Sequence, residues 1–190
     1  MIDYFKRLGI SEIWVDPIFP SVGEDIEDVN FDNMHFARKF LEATKYAKNN
    51  DMFYGSIMTC NFGDSVSRHC RACIPVPHLT TDGYVSACDM ALFGEDRNHM
   101  NAFIYGKWNP EEKTIEYDKK KIEKLKSRST ENMSHCNDCV SKDHCGGYCL
   151  GEVLNETKDL FGRKKGVCES IRFLDQNMDE TLRQYSHTHP

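Results

Sequence analysis

Nine cysteines carry the chemistry that this sequence offers. They stand at positions 60, 70, 73, 88, 136, 139, 145, 149 and 168. The N-terminal run Met1-Ile2-Asp3-Tyr4-Phe5-Lys6-Arg7 has no apolar stretch of signal-peptide type, so a reducing, cytoplasmic setting is expected. There a disulfide framework is disfavoured, and the odd count disfavours it further. A free cysteine also behaves as a small buried hydrophobe, which is the better account of Cys60. The other eight fall into tight local sets, for which metal or cluster ligation is the economical reading.

One set is Cys70-x2-Cys73, then nine residues, Gly83, four residues and Cys88. The other is Cys136-x2-Cys139-x5-Cys145-x3-Cys149, followed after eighteen residues by Cys168. A C-x2-C pair lets two thiolates from one turn reach one metal or cluster edge, with further ligands supplied from elsewhere. Gly83 suits a tight turn at positive φ, returning the strand so that Cys88 comes back near Cys73. Without Cys60, the count is that of two four-cysteine sites.

The elements that must position these residues can be read coarsely. A helix end over Met1–Leu8 stops at Gly9. A strand is expected over Ile10–Ile18, closed by Pro17 and Pro20, and an acidic loop runs through Asn30. Asp32 is a plausible N-cap for a helix to about Asn49, with Met34, Ala37, Leu41 and Thr44 on one stripe. Met52–Met58 reads as a second strand, which makes a βαβ unit with a parallel sheet as its setting. Such a unit is too small to stand alone and reads as one edge of something larger. After Gly63, loops dominate. Asp82-Gly83 between His78–Thr81 and Tyr84–Ala87 signals a hairpin, and Phe103–Trp108 with Thr114–Tyr117 signals another. Asp118 opens a short basic helix to about Arg128, and a helical turn or two is expected between Cys145 and Cys168. From Val167 to about Tyr185, Ile171, Leu174, Met178 and Leu182 form a core-facing stripe.

The pattern C-x9-G-x4-C, gap, C-x2-C-x5-C-x3-C, gap, C resembles the SPASM domain, the C-terminal auxiliary-cluster part of many radical S-adenosylmethionine enzymes that modify peptides and proteins. The resemblance runs from about Cys70 to Cys168, with seven cysteines and the glycine in place. It implies an α+β chain. Residues 1–62 would be the C-terminal edge of a partial (β/α) barrel, and residues 63–190 a loop-rich, cysteine-rich SPASM domain with β-hairpins and short helices. It further implies two auxiliary 4Fe–4S clusters with interleaved ligands. The first would use Cys73, Cys88 and Cys149 with one upstream cysteine, Cys70, or Cys60 as the alternative, since the upstream spacing differs from that of the sulfatase-maturing members. The second would use Cys136, Cys139, Cys145 and Cys168. In the anaerobic sulfatase-maturing enzymes an Asp directly after the hairpin cysteine is the proposed base. Asp89 occupies that position here, where a turn or surface role is the plainer reading.

The C-x3-C-x2-C motif that radical chemistry needs is not present between Met1 and Pro190. The chain is therefore expected not to cleave S-adenosylmethionine alone, and that cofactor enters only if a barrel half is supplied. The expected partners are a peptide or protein substrate, such a barrel half and an electron donor. A net charge of -6 argues against a nucleic-acid surface, and no apolar run approaches the ~18 residues of a membrane span. The basic run at Lys119-Lys120-Lys121 reads as a solvated helix face. His69, His78, His99, His135 and His144 lie near cysteines and read as second-layer or solvent-facing residues. Two other functions fit the thiols: a structural four-cysteine zinc module that binds a protein partner, and a stand-alone electron carrier of ferredoxin type.

Overall fold

A computed structural model of the chain describes residues 1–18, 32–95 and 98–187. Pro20 and most of the expected acidic loop lie outside them. The chain is α+β; among the described residues it has two small sheets, and neither closes into a barrel. Among the same residues no helix is long and apolar enough to cross a membrane.

Helix α1 (Ile2–Arg7) is followed by Gly9 at φ 76°. Strand β1 (Glu12–Trp14) leads to helix α2 (Asn33–Lys48), and β2 (Phe53–Gly55) returns parallel to β1, with Glu12 opposite Phe53 and Trp14 opposite Gly55. Asp32 caps α2 by accepting the His35 N–H at 2.9 Å, satisfying one of the donors that a first helical turn leaves open. Both strands are shorter than the apolar runs that predict them. Pro17 has no N–H to extend the first ladder. The second ends where Asp16 gathers the Ser56 hydroxyl at 2.9 Å and the Ile57 N–H at 2.7 Å, which turns the chain away.

Strands β3 (His78–Leu79), β4 (Tyr84–Ser86), β5 (Ile104–Asn109) and β6 (Thr114–Tyr117) form one antiparallel meander, so the two expected hairpins share a sheet. The first turn is a three-residue loop. The Thr80 N–H donates to the Tyr84 carbonyl at 2.8 Å and encloses Thr81-Asp82-Gly83, with Gly83 at φ 82°, the left-handed position such loops require. Helix α3 (Lys119–Lys126) is capped by Asp118, which accepts the Lys120 and Lys121 N–H groups. Its lysines are not all solvated. Lys121 Nζ donates to the carbonyls of Asn101 and Ile104 at 3.1 and 2.8 Å, pinning the helix beside β5.

Two short helices follow, α4 (Lys142–Cys145) and α5 (Leu150–Thr157). Leu150 and Leu154 of α5 join Val85, Phe103, Ile104 and Leu125 in a core under the meander. A second core forms where α6 (Lys165–Asn177) and α7 (Glu180–His187) pack on α2. It joins Ala37, Phe40, Leu41, Met52 and Tyr54 to Val167, Ile171, Leu174, Met178 and Leu182. The expected tail stripe is thus buried, but on two helices. Met178 is extended (φ -101°, ψ 126°), and Asp179 restarts the helix by accepting the Leu182 N–H at 2.8 Å.

Candidate functional site

Two turns and a hairpin gather the first set. Cys70 precedes a 3-10 turn, Arg71–Cys73, closed by the Cys73 N–H on the Cys70 carbonyl at 3.1 Å. The two thiols touch. The Cys73 S–H holds the Cys70 thiol below its ordinary value, and the same contact together with burial pushes Cys73 up. Cys88 follows β4, where the Ser86 hydroxyl donates to the Cys88 carbonyl at 2.8 Å and accepts its N–H at 3.2 Å. Cys149 stands directly before α5. Cys88 and Cys149 are each close enough to Cys70 to feel its charge. A Cβ on Gly151 would sit 3.2 Å from the Cys88 sulfur, so α5 passes against it. Cys60 is a fifth thiol at this place, close enough to Cys70 to feel its charge, with its sulfur 3.8 Å from His69 Nε2.

The second set lines one cavity. Cys136 ends a 3-10 turn, and the Cys139 N–H closes the next turn on the Cys136 carbonyl at 3.1 Å. Cys145 ends α4 and Cys168 lies on α6. All four face the same space, with His135, Arg163 and Arg172 at its wall. Burial pushes Cys136 up to about 11 and Cys145 up to about 12. Burial also raises Cys168, against the pull of Arg163. As bare side chains these are thiols, and ligation would have to displace their protons.

Cys145 and Cys149 are near neighbours in sequence yet belong to different gatherings. The residues between them make the separation: Gly146, Gly147 and Tyr148 have φ of 60°, 87° and 62°. Three consecutive left-handed residues reverse the chain within one short link. At Gly146 a Cβ would lie 2.6 Å from the backbone of Arg68 and His69. His69 sits against this link, its Nδ1–H donating to the Cys145 carbonyl at 3.1 Å, and burial pushes the imidazole down to about 4. It is a neutral supporting residue. His99 and His144 also have protein partners, Asn155 and Asp175.

Asp89 stands beside Cys88 on a shallow groove shared with His78, Thr80 and Ala91. Its carboxylate is largely exposed and pairs with Arg71 at 3.0 Å and His78 at 2.9 Å. Those contacts hold it at the surface beside the first set.

Three groups at the site are missing from the sequence reading. Arg128 is fully buried, with Nη1 4.0 Å from the Cys73 sulfur. Glu152 of α5 is buried and pairs with Lys164 at 3.0 Å, tying α5 to the start of α6. Asp175 of α6 receives His144 of α4 at 2.8 Å and Arg183 of α7 at 3.1 Å. It joins the helix bearing Cys168 to the one ending in Cys145. Burial by itself would raise the Asp175 carboxyl, but Ser141, His144 and Arg183 around it hold it below its ordinary value. A depressed carboxyl stabilises the fold above its unfolded value and loses that contribution as pH falls through the folded value. Asp175→Ala is expected to cost about 2–4 kcal/mol in urea denaturation near neutral pH, by stripping Arg183 and His144 of a buried partner. An unchanged midpoint would refute the tie.

Backbone N–H groups point at the sulfurs. Those of Ala72 and Leu150 serve Cys70, that of Met90 serves Cys88, that of Gly147 serves Cys145 and that of Glu152 serves Cys149. At least four thiols in each gathering, N–H donors on sulfur and arginines close by fit the donor set of an anionic thiolate cluster. Among the described residues no three Cys, His, Asp or Glu side chains converge tightly enough for one metal ion. The chain matches no protein-family model and no curated protein.

Proposed function

We propose that the chain is an iron–sulfur protein that binds two 4Fe–4S clusters. Cys70, Cys73, Cys88 and Cys149 would hold one; Cys136, Cys139, Cys145 and Cys168 would hold the other. It serves as the C-terminal auxiliary-cluster part of a radical S-adenosylmethionine enzyme acting on a peptide or protein. The parallel β1–α2–β2 unit is then the edge of that enzyme's barrel, and a cytoplasmic setting suits the free thiols. The observation that carries this reading is the sorting of the cysteines into two gatherings, Cys136, Cys139, Cys145 and Cys168 around one cavity and Cys70, Cys73, Cys88 and Cys149 with Cys60 at the other place, so that Cys145 and Cys149 part. When bound, such clusters supply one-electron acceptance. The protein's own part is to aim N–H groups and arginines at the sulfurs, to exclude water at Cys73 and Cys136, and to hold Asp89 beside Cys88, where a substrate proton could be received.

The test is anaerobic reconstitution of the full chain with iron and sulfide. About eight irons and eight sulfides per chain, with broad absorption near roughly 400 nm, are expected for two such sites. Zinc bound without sulfide would replace this reading by a structural zinc module.

A further inference from the structure

Arg128 follows the C-terminal end of α3 and is 0% exposed. Its Nε donates to the Leu160 carbonyl at 2.8 Å, and Nη2 donates to the Gly147 carbonyl at 2.6 Å. Its third contact is the Cys73 sulfur. Among the described residues none of its hydrogen-bond partners is a carboxylate. A guanidinium cannot shed its proton, and a buried charge without a counter-charge is strongly disfavoured. The groups able to compensate it are the thiols on either side. Arg128 reaches both gatherings: Nη1 lies 4.0 Å from the Cys73 sulfur, and Nη2 holds the carbonyl of Gly147, which lines the cavity of the second gathering. Space has been kept for it as well: a Cβ on Gly147 would lie 3.0 Å from Nη1 and would also strike the Met133 side chain.

We infer that Arg128 is the shared counter-charge of the two cysteine gatherings, and that it raises the electron affinity of the clusters they hold, most strongly the one at Cys73. This rests on the two-cluster reading above. A fixed positive charge beside a cluster favours the state with one more electron, so its removal makes reduction harder. Arg128 does not ligate; it acts through the charge that it presents to the sulfurs.

The experiment compares the wild-type chain, Arg128→Gln and Arg128→Lys after anaerobic reconstitution. Iron and sulfide contents are measured first, and each cluster is then followed by electron paramagnetic resonance during a redox titration. Arg128→Gln is expected to weaken one-electron reduction of one cluster at least tenfold, a shift of 59 mV to lower potential, with a smaller shift in the other. Arg128→Lys keeps the charge and loses the two-pronged contact, and is expected to stay within about threefold of wild type by the same conversion. Equal potentials in wild type and Arg128→Gln would overturn the inference. If Arg128→Gln fails to load, the lysine variant decides. Loading with the wild-type potential supports the charge; loading with the tenfold shift, or failure to load, overturns it. Failure of the wild type to bind iron and sulfide would instead remove the two-cluster reading.

Discussion

Cys145→Ser is expected to lose about four of eight irons, and Cys149→Ser about four others, although only three residues separate them. Paired variants make the distinction sharp. Cys136→Ser combined with Cys145→Ser strikes one gathering twice, so about four irons should remain. Cys145→Ser combined with Cys149→Ser strikes both, so almost none should remain. The physical basis is the left-handed run between the two cysteines, which sends one thiol to the α4–α6 cavity and the other to the start of α5. Cys60→Ser is expected to leave iron content unchanged, because Cys70 already meets Cys73 and receives N–H groups from Ala72 and Leu150. Iron analysis alone checks the series. Retention of four irons by the Cys145/Cys149 pair would sink the interleaved arrangement.

The largest loss of stability is expected from Gly146→Val. A left-handed non-glycine residue costs about 1–2 kcal/mol, and forcing extra atoms into a packed place costs about 1–3 kcal/mol more. Here the obstacles are backbone atoms of Arg68 and His69 at 2.6 Å, which cannot rotate aside as a side-chain tip would. Arg68 is itself held, donating to the Lys126 carbonyl at 3.0 Å. A total of about 2–5 kcal/mol follows, read as a lowered urea midpoint under reducing conditions. Gly9→Val is the control. Gly9 has φ 76° and nothing within 4 Å of a built Cβ, so it should lose only the conformational part. Equal losses at the two glycines would mean that the close approach at Gly146 is unimportant.

Much of the frame was legible because its signals are local. Asp32 and Asp118 announced their helices through side chains that bond within three residues. Gly83 announced its turn, and the run Met52–Met58 announced a strand. The grouping of cysteines was suggested by spacing and resemblance, and the turns at Cys70–Cys73 and Cys136–Cys139 are local as well. What escaped depends on distant partners. Arg128 reads as the last residue of a basic helix, and its burial arises from Leu160 and Gly147 far along the chain. Lys121 likewise looked solvated until Asn101 and Ile104 closed on it. Asp179 did carry a signal, a cap three residues before Leu182, but the continuing apolar stripe hid the break. Tyr148 gave none, since a tyrosine seldom adopts positive φ.

The core that joins α2 to α6 and α7 has a bearing on how the protein is made. The apolar face of α2 is synthesised early, and the helices that cover it come after every cysteine but one has been added. At bacterial or eukaryotic translation speeds the wait is on the order of ten seconds. During that interval Phe40 and Leu41 lack the partners that α6 and α7 supply. Once α6 docks, Cys168 arrives with it, and the second cavity acquires its last wall. Nascent chains held short of α6 therefore leave the apolar face of α2 uncovered, and are where a chaperone would find the most to grip.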